Sequence, residues 1–158
     1  MGLDMYLCKK TYIGAKYEHR KVTGEINISS GEHKANIDFK KVTEISEIVG
    51  YWRKANHIHK WFVDNVQEGV DNCEEYYVDK DQLQKLLDLC RKVKENPELT
   101  SELLPTTNGF FFGSTEYDKW YMEDIEYTIT SLEEVLKPVE SIEKDSPFYV
   151  YFYYQSSW

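Results

Sequence analysis

Apolar positions along this chain change period several times, and the changes outline a mixed architecture. Residues 3–13 (LDMYLCKKTYI) read as a strand. Glu25-Ile26-Asn27-Ile28 and Ala35-Asn36-Ile37-Asp38-Phe39 alternate with period two around Ser29-Ser30-Gly31-Glu32, which predicts a β-hairpin. Over residues 47–66, Ile48, Tyr51, Ala55, Ile58, Phe62 and Val66 fall on one stripe at helical spacing, which predicts a helix. Glu75-Tyr76-Tyr77-Val78 reads as a short strand. Asp79-x-x-Gln82 then has the form of a capping box. It opens a helix burying Leu83, Leu86, Leu87, Cys90 and Val93 and stopping near Asn96-Pro97.

The C-terminal half repeats the mixture. Pro105 to Gly109 reads as loop, Phe110-Phe111-Phe112 as strand, and Gly113-Ser114-Thr115 as the turn into a long helix over residues 116–137. That helix has Ile125, Ile129, Leu132 and Leu136 on its core face, and Pro138 is expected to end it. Residues 148–154 (FYVYFYY) read as an aromatic closing strand which, at a sheet edge, would need a partner or a cover. Strands and helices mix without regular βαβ alternation. The expected fold is α+β: one domain over residues 1–158, a largely antiparallel sheet with about three helices packed on it.

Composition supports an ordered chain. Of 158 residues, 41% are hydrophobic and 15% aromatic, too aromatic for intrinsic disorder. Mean hydropathy is −0.62 and no apolar run approaches 18 residues, so no transmembrane helix is expected. Met1-Gly2-Leu3-Asp4-Met5 lacks a basic region and an apolar region, so no signal peptide is expected; Tyr6 in place of Ser or Thr removes a myristoylation reading. Three scattered cysteines without C-x-x-C fit a reducing compartment and argue against a structural zinc site.

Charge adds an asymmetry. The net charge is −9, yet residues 1–60 hold 11 basic and 7 acidic side chains, whereas residues 61–158 hold 8 and 21. An excess of carboxylates repels phosphate backbones, so direct DNA binding is not expected. The acidic part could instead dock on a basic protein partner.

Candidate chemistry clusters in two places. On the helix expected over 47–66, Trp52, Arg53, Asn56, His59, Lys60 and Val63 form a second line beside the apolar stripe. Trp52 offers a stacking surface, Arg53 a planar fork, and Asn56 and His59 a joint hydrogen-bonding pair, a set suited to an anionic or heteroaromatic ligand. The alternative is that Asn56 and His59 satisfy buried backbone groups while Trp52 fills the core. On the later helix, Tyr117, Trp120, Asp124 and Tyr127 form a polar-aromatic face. With Gln155 in the closing Tyr153-Tyr154-Gln155-Ser156-Ser157-Trp158, it could line one pocket. His57 and His59 are two apart, so on a helix they diverge and cannot chelate one metal. No H-E-x-x-H, G-x-S-x-G or G-K-[ST] occurs, and no metal or cofactor is expected. Cys90 sits on an apolar stripe, and Cys73 has acidic neighbours that disfavour a thiolate.

Longer words also stand out. Met1-Gly2-Leu3-Asp4-Met5-Tyr6-Leu7, Gly50-Tyr51-Trp52-Arg53-Lys54-Ala55-Asn56, Ile58-His59, Trp61-Phe62, the run Gly109 to Asp118 and the closing Phe152 to Trp158 resemble a family of small bacteriophage and prophage proteins. The resemblance spans nearly the whole chain except the hairpin and residues 138–147. It implies a setting in the bacterial host cytoplasm and no catalytic residues. Together these features favour a binding protein that sequesters a small anionic, nucleotide-like ligand, a role that could serve evasion of host defence. Two alternatives stand beside it: an acidic inhibitor of a host protein, and a small nucleotide-processing enzyme using His59 as acid/base. A homo-oligomer is compatible with each.

Overall fold

The computed structural model describes residues 2–142 and 146–158. Its strands are β1 (Asp4–Tyr12), β2 (Ser29–Ser30), β3 (His33–Lys34), β4 (Glu44–Arg53), β5 (Tyr76–Val78) and β6 (Tyr149–Ser157). Its helices are α1 (Asn56–Asn65), α2 (Lys80–Glu95), the single turn α3 (Thr100–Leu103) and α4 (Lys119–Ile142). Four strands form one antiparallel sheet in the order β4-β1-β6-β5, and β2 pairs only with β3. The fold is α+β.

Side chains alternate across the sheet, so one face carries Leu3, Met5, Leu7, Trp52, Val78, Phe152 and Tyr154 into the core. There they meet Ile58 and Phe62 of α1, Leu83, Leu86, Leu87, Cys90 and Val93 of α2, and Ile125 and Leu132 of α4. Each such side chain removed from water contributes about 1.5–3 kcal/mol, so this layer is the main source of stability. Among the described residues no α-helix packs on the opposite face of the sheet, where Arg20 lies over the Tyr12 and Tyr149 rings.

The second helix follows its sequence signals closely. The Asp79 side chain accepts from the Gln82 amide at 2.7 Å while Gln82 Oε1 accepts from the Asp79 amide at 3.0 Å, closing the capping box. All five positions expected to be buried are buried. Gln82 has a second task, because its Nε2 donates to the Asn65 carbonyl and ties the start of α2 to the end of α1.

Residues 47–66 depart from the helical expectation. Residues 44–53 are strand β4, paired with β1, and only Asn56–Asn65 are helical. Two backbone features enforce the split. A bulge in the β1–β4 ladder lies between Leu7 and Cys8, and it interrupts the period-two signal that would have marked a strand. Lys54 adopts a left-handed φ of 61°, which breaks the chain direction before α1 begins. Ile48 and Tyr51, expected in the core, are therefore exposed, while Ala55, Ile58 and Phe62 are buried.

Smaller departures have similar causes. The hairpin around Gly31 exists, but pairing is confined to Ser29–Ser30 with His33–Lys34. It forms part of a largely exposed excursion between β1 and β4, with too little apolar burial to extend the ladder. Phe110–Phe112 form a turn, with Phe111 at φ 64°, and only Phe112 is buried. The long helix starts later than expected because Asp118 caps it, accepting from the Trp120 and Tyr121 amides. It also continues past Pro138 to Ile142. Proline removes one helical hydrogen bond, and near a helix end that is a local cost which Val135 and Leu136, both buried, offset. Strand β6 is interior, paired with β1 along its whole length and with β5 at residues 152–154. Strand β5 is thus the partner of its second edge at three residues.

Candidate functional site

The sequence-derived candidates occupy different environments. Trp52 and Arg53 are neighbours on a strand and point to opposite sides of the sheet. Trp52 is buried, donating its indole N–H to Thr128 Oγ1 at 2.8 Å and meeting Tyr127 edge-on. Arg53 is exposed, 3.9 Å from Asp4. The polar line seen at helical spacing is therefore not one face.

Asn56 and His59, one helical turn apart on α1, are both buried and both engaged. Asn56 Nδ2 donates to the carbonyls of Phe112 (3.1 Å) and Ser114 (2.8 Å), and its Oδ1 accepts from the Thr107 amide (3.0 Å). It clamps the loop from Pro105 to Glu116, whose backbone otherwise lacks a strand or helix to bond with. His59 Nε2 lies 2.9 Å from Asp71 Oδ2, and Nδ1 lies 2.7 Å from the Tyr154 hydroxyl. A carboxylate can only accept, so in the neutral ring Nε2 carries the proton and Nδ1 accepts from the phenol. Trp158 donates its indole N–H to the other Asp71 oxygen at 3.0 Å. Burial, with the Asp71 charge next, pushes the Tyr154 phenol well above its ordinary range. The order Asp71–His59–Tyr154 has the connectivity of a proton relay, but Tyr154 has no exposed surface and stacks flat on Phe62. No substrate atom can reach that hydroxyl in this conformation, so the relay joins α1, the loop before β5 and β6 as a structural clasp.

The remaining candidates are dispersed. The Tyr117 hydroxyl accepts from the Thr106 amide, Trp120 is 61% exposed beneath the Lys119 ammonium, and Gln155 donates to the Cys73 carbonyl. Asp124 is half-buried, and burial, then Glu123 and Asp118, raise its carboxyl to about 7. His57 is buried against the Tyr121 ring at 4.1 Å with its Nε2 unpartnered, and burial lowers it to about 3. Cys90 is core, its thiol raised by burial to about 12. Among the described residues no group of three or more metal-ligating side chains converges.

A concave site lies elsewhere, between the end of α1 and the outer side of α2. This groove encloses about 410 Å³ and is lined by Trp61, Asn65, Gln82, Lys85, Asp88, Leu89 and Lys92. Its α2 wall is a stripe spaced by three and four residues, and its α1 wall is Trp61 and Asn65, four apart. Asp88 is engaged by Gln84 and faces Arg91 at 3.7 Å. Lys85 and Lys92 make no ion pair among the described residues, so the groove carries uncompensated positive charge despite the acidic chain. The sequence signal was present in the Lys85, Leu89 and Lys92 spacing, but nothing in it indicated that Trp61 would face that stripe.

No family model, curated protein or solved structure matches this chain. No helix among the described residues is long and apolar enough to cross a membrane.

Proposed function

We propose that this chain is a binding protein of phage type that holds a small anionic, nucleotide-like ligand in the α1–α2 groove. The observation that carries the reading is a groove of about 410 Å³ flanked by two ammonium groups without an ion pair, Lys85 and Lys92, with the edge of the largely buried Trp61 indole (7% exposed) at its base. The volume lies within the range of small-ligand sites, and a wall of mostly polar side chains, Asn65, Gln82, Lys85, Asp88 and Lys92, suits a charged ligand better than an apolar one. Lys85 and Lys92 would meet phosphate oxygens, Trp61 and Leu89 the apolar edge of a base, and Asn65 and Gln82 its polar atoms.

The test is a thermal-shift panel of linear and cyclic nucleotides with inorganic phosphate as control. Ligand at about a hundred times its Kd adds roughly 2.7 kcal/mol, on the order of 5–10 °C for a domain of this size. A shift abolished in Lys85→Glu/Lys92→Glu supports the site. A flat panel, or a shift that the double variant retains, would remove it.

A further inference from the structure

Among the described residues the wall of the α1–α2 groove holds three charged side chains, Lys85, Asp88 and Lys92, all exposed on α2. Positions three and seven residues apart share one face of a helix, so the order along the axis is cation, anion, cation. At ~1.5 Å of rise per residue, the two lysine backbones stand ~10.5 Å apart with Asp88 between them. Asp88 is held there: Gln84 Nε2 donates to its Oδ1 at 2.9 Å, and Arg91 approaches the same oxygen at 3.7 Å. Arg91 is shared with Glu133 of α4 at 2.7 Å, so the middle of the wall keeps negative character. A ligand's anionic groups therefore meet attraction at the two ends of this wall and repulsion at its centre. Resting on the reading that the groove holds a nucleotide-like ligand, we infer that this ligand is a nucleoside 3′,5′-bisphosphate, with a phosphoryl group on each side of the ribose, and not a nucleotide carrying its charge in one 5′ chain.

The spacing of the charges decides between the two ligand forms. Phosphoryl groups joined through bridging oxygens make one compact block of charge. Seated at Lys85, such a block leaves Lys92 without a partner. Seated midway, where both flexible lysine stems can reach it, it lies against the Asp88 carboxylate. Phosphates on O3′ and O5′ are instead held apart by the sugar, so each meets its own ammonium and the stems take up the remaining distance. The ribose then spans the middle of the wall and offers its 2′-hydroxyl as a donor. Both contacts of Asp88 fall on Oδ1, which leaves Oδ2 to accept that bond. The carboxylate that repels a polyphosphate thus recognises the sugar between two separate phosphates, which makes Asp88 the residue that sets specificity. The net charge of −9 acts in the same direction, because a concentrated polyanion has no other surplus of cations in the groove to hold it.

Calorimetric titration of the full chain in metal-free buffer tests the inference. The probes are the 3′,5′-bisphosphate, the 5′-diphosphate and the 5′-triphosphate, each in its adenosine and guanosine form. The diphosphate matches the bisphosphate in number of phosphates, and the triphosphate matches it in full ionic charge. The bisphosphate should bind about tenfold more tightly than either, the worth of one further ammonium–phosphate bond. Lys85→Gln and Lys92→Gln should each remove that margin, because each ammonium holds one phosphate. Asp88→Asn, at an exposed position, should narrow it by strengthening the triphosphate. A diphosphate or triphosphate that binds the parent as tightly as the bisphosphate overturns the inference and leaves the nucleotide reading standing. So does a margin that survives either lysine substitution, or one that Asp88→Asn leaves unchanged. Absence of binding by every probe removes the groove as a nucleotide site, and the inference with it.

Discussion

The His59 imidazole and the Tyr154 phenol are bonded at 2.7 Å in a part of the core where neither has more than 1% of its surface exposed. Removing one partner strands the other without water to replace it. Tyr154→Phe keeps the ring stacked on Phe62 and deletes only the hydroxyl, so it isolates that cost. The expected loss is about 1–3 kcal/mol by urea denaturation. Unchanged stability would mean that the clasp contributes nothing.

Asn56 holds three backbone groups of one loop, and no other side chain duplicates the set. In Asn56→Ala two carbonyls and one amide lose their partner at once. Amide exchange over residues 105–116 should accelerate well beyond that of α2, with a global loss on the order of 1–3 kcal/mol. Equal protection in variant and parent would show that the loop's other bonds, among them Thr106 to Tyr117 and Leu3 to Phe111, hold it without Asn56.

Gly50 lies opposite Leu7 on the core face of β4, and a Cβ there would meet the Trp52 ring at 2.6 Å. Gly50→Ala should therefore push the indole away from Thr128 and cost about 1–3 kcal/mol, with a changed tryptophan emission. An alanine variant with parental emission and stability would show that Trp52 has room to move.

What the sequence disclosed about the fold depended on whether a signal was local. The α2 helix was legible because its cap, its apolar period and its end at Asn96 all lie within eighteen residues. The strand β1 was legible too, and the paired position of β6 was not, since nothing in FYVYFYY says that both of its edges are used. Residues 47–66 misled because a bulge removed the strand period and a left-handed Lys54 left no glycine to mark the break. The site was less legible still. Asn56 and His59 stood out in the sequence as a hydrogen-bonding pair, but partners of theirs lie 51, 58 and 95 residues away. The groove required knowing which helix Trp61 would face.

Buried His57 and half-buried Asp124 should give the protein opposing acid responses. Burial lowers His57 from 6.5 to about 3 and raises Asp124 from 3.8 to about 7. Below pH 6.5 the unfolded chain protonates His57 while the folded chain does not. Stability from this group therefore falls by up to about 1.4 kcal/mol per unit as pH drops toward 3. Asp124 behaves in reverse: the folded state retains a proton that the unfolded state has lost, so its contribution is full below 3.8 and disappears as pH rises through 7. Between pH 4 and 6.5 the two slopes oppose, the Asp124 slope being shallower because solvent reaches part of that carboxyl. Asp124→Asn should leave the His57 response, so its stability relative to the parent falls on acidification from pH 6.5 to 4. His57→Phe, which preserves the stacking on Tyr121, should leave the Asp124 response and gain relative stability over the same interval. Urea titrations of both variants at four pH values decide the matter. Parallel curves for the two variants would show that these groups do not set the acid response, whereas divergence in the stated directions assigns it to His57 and Asp124.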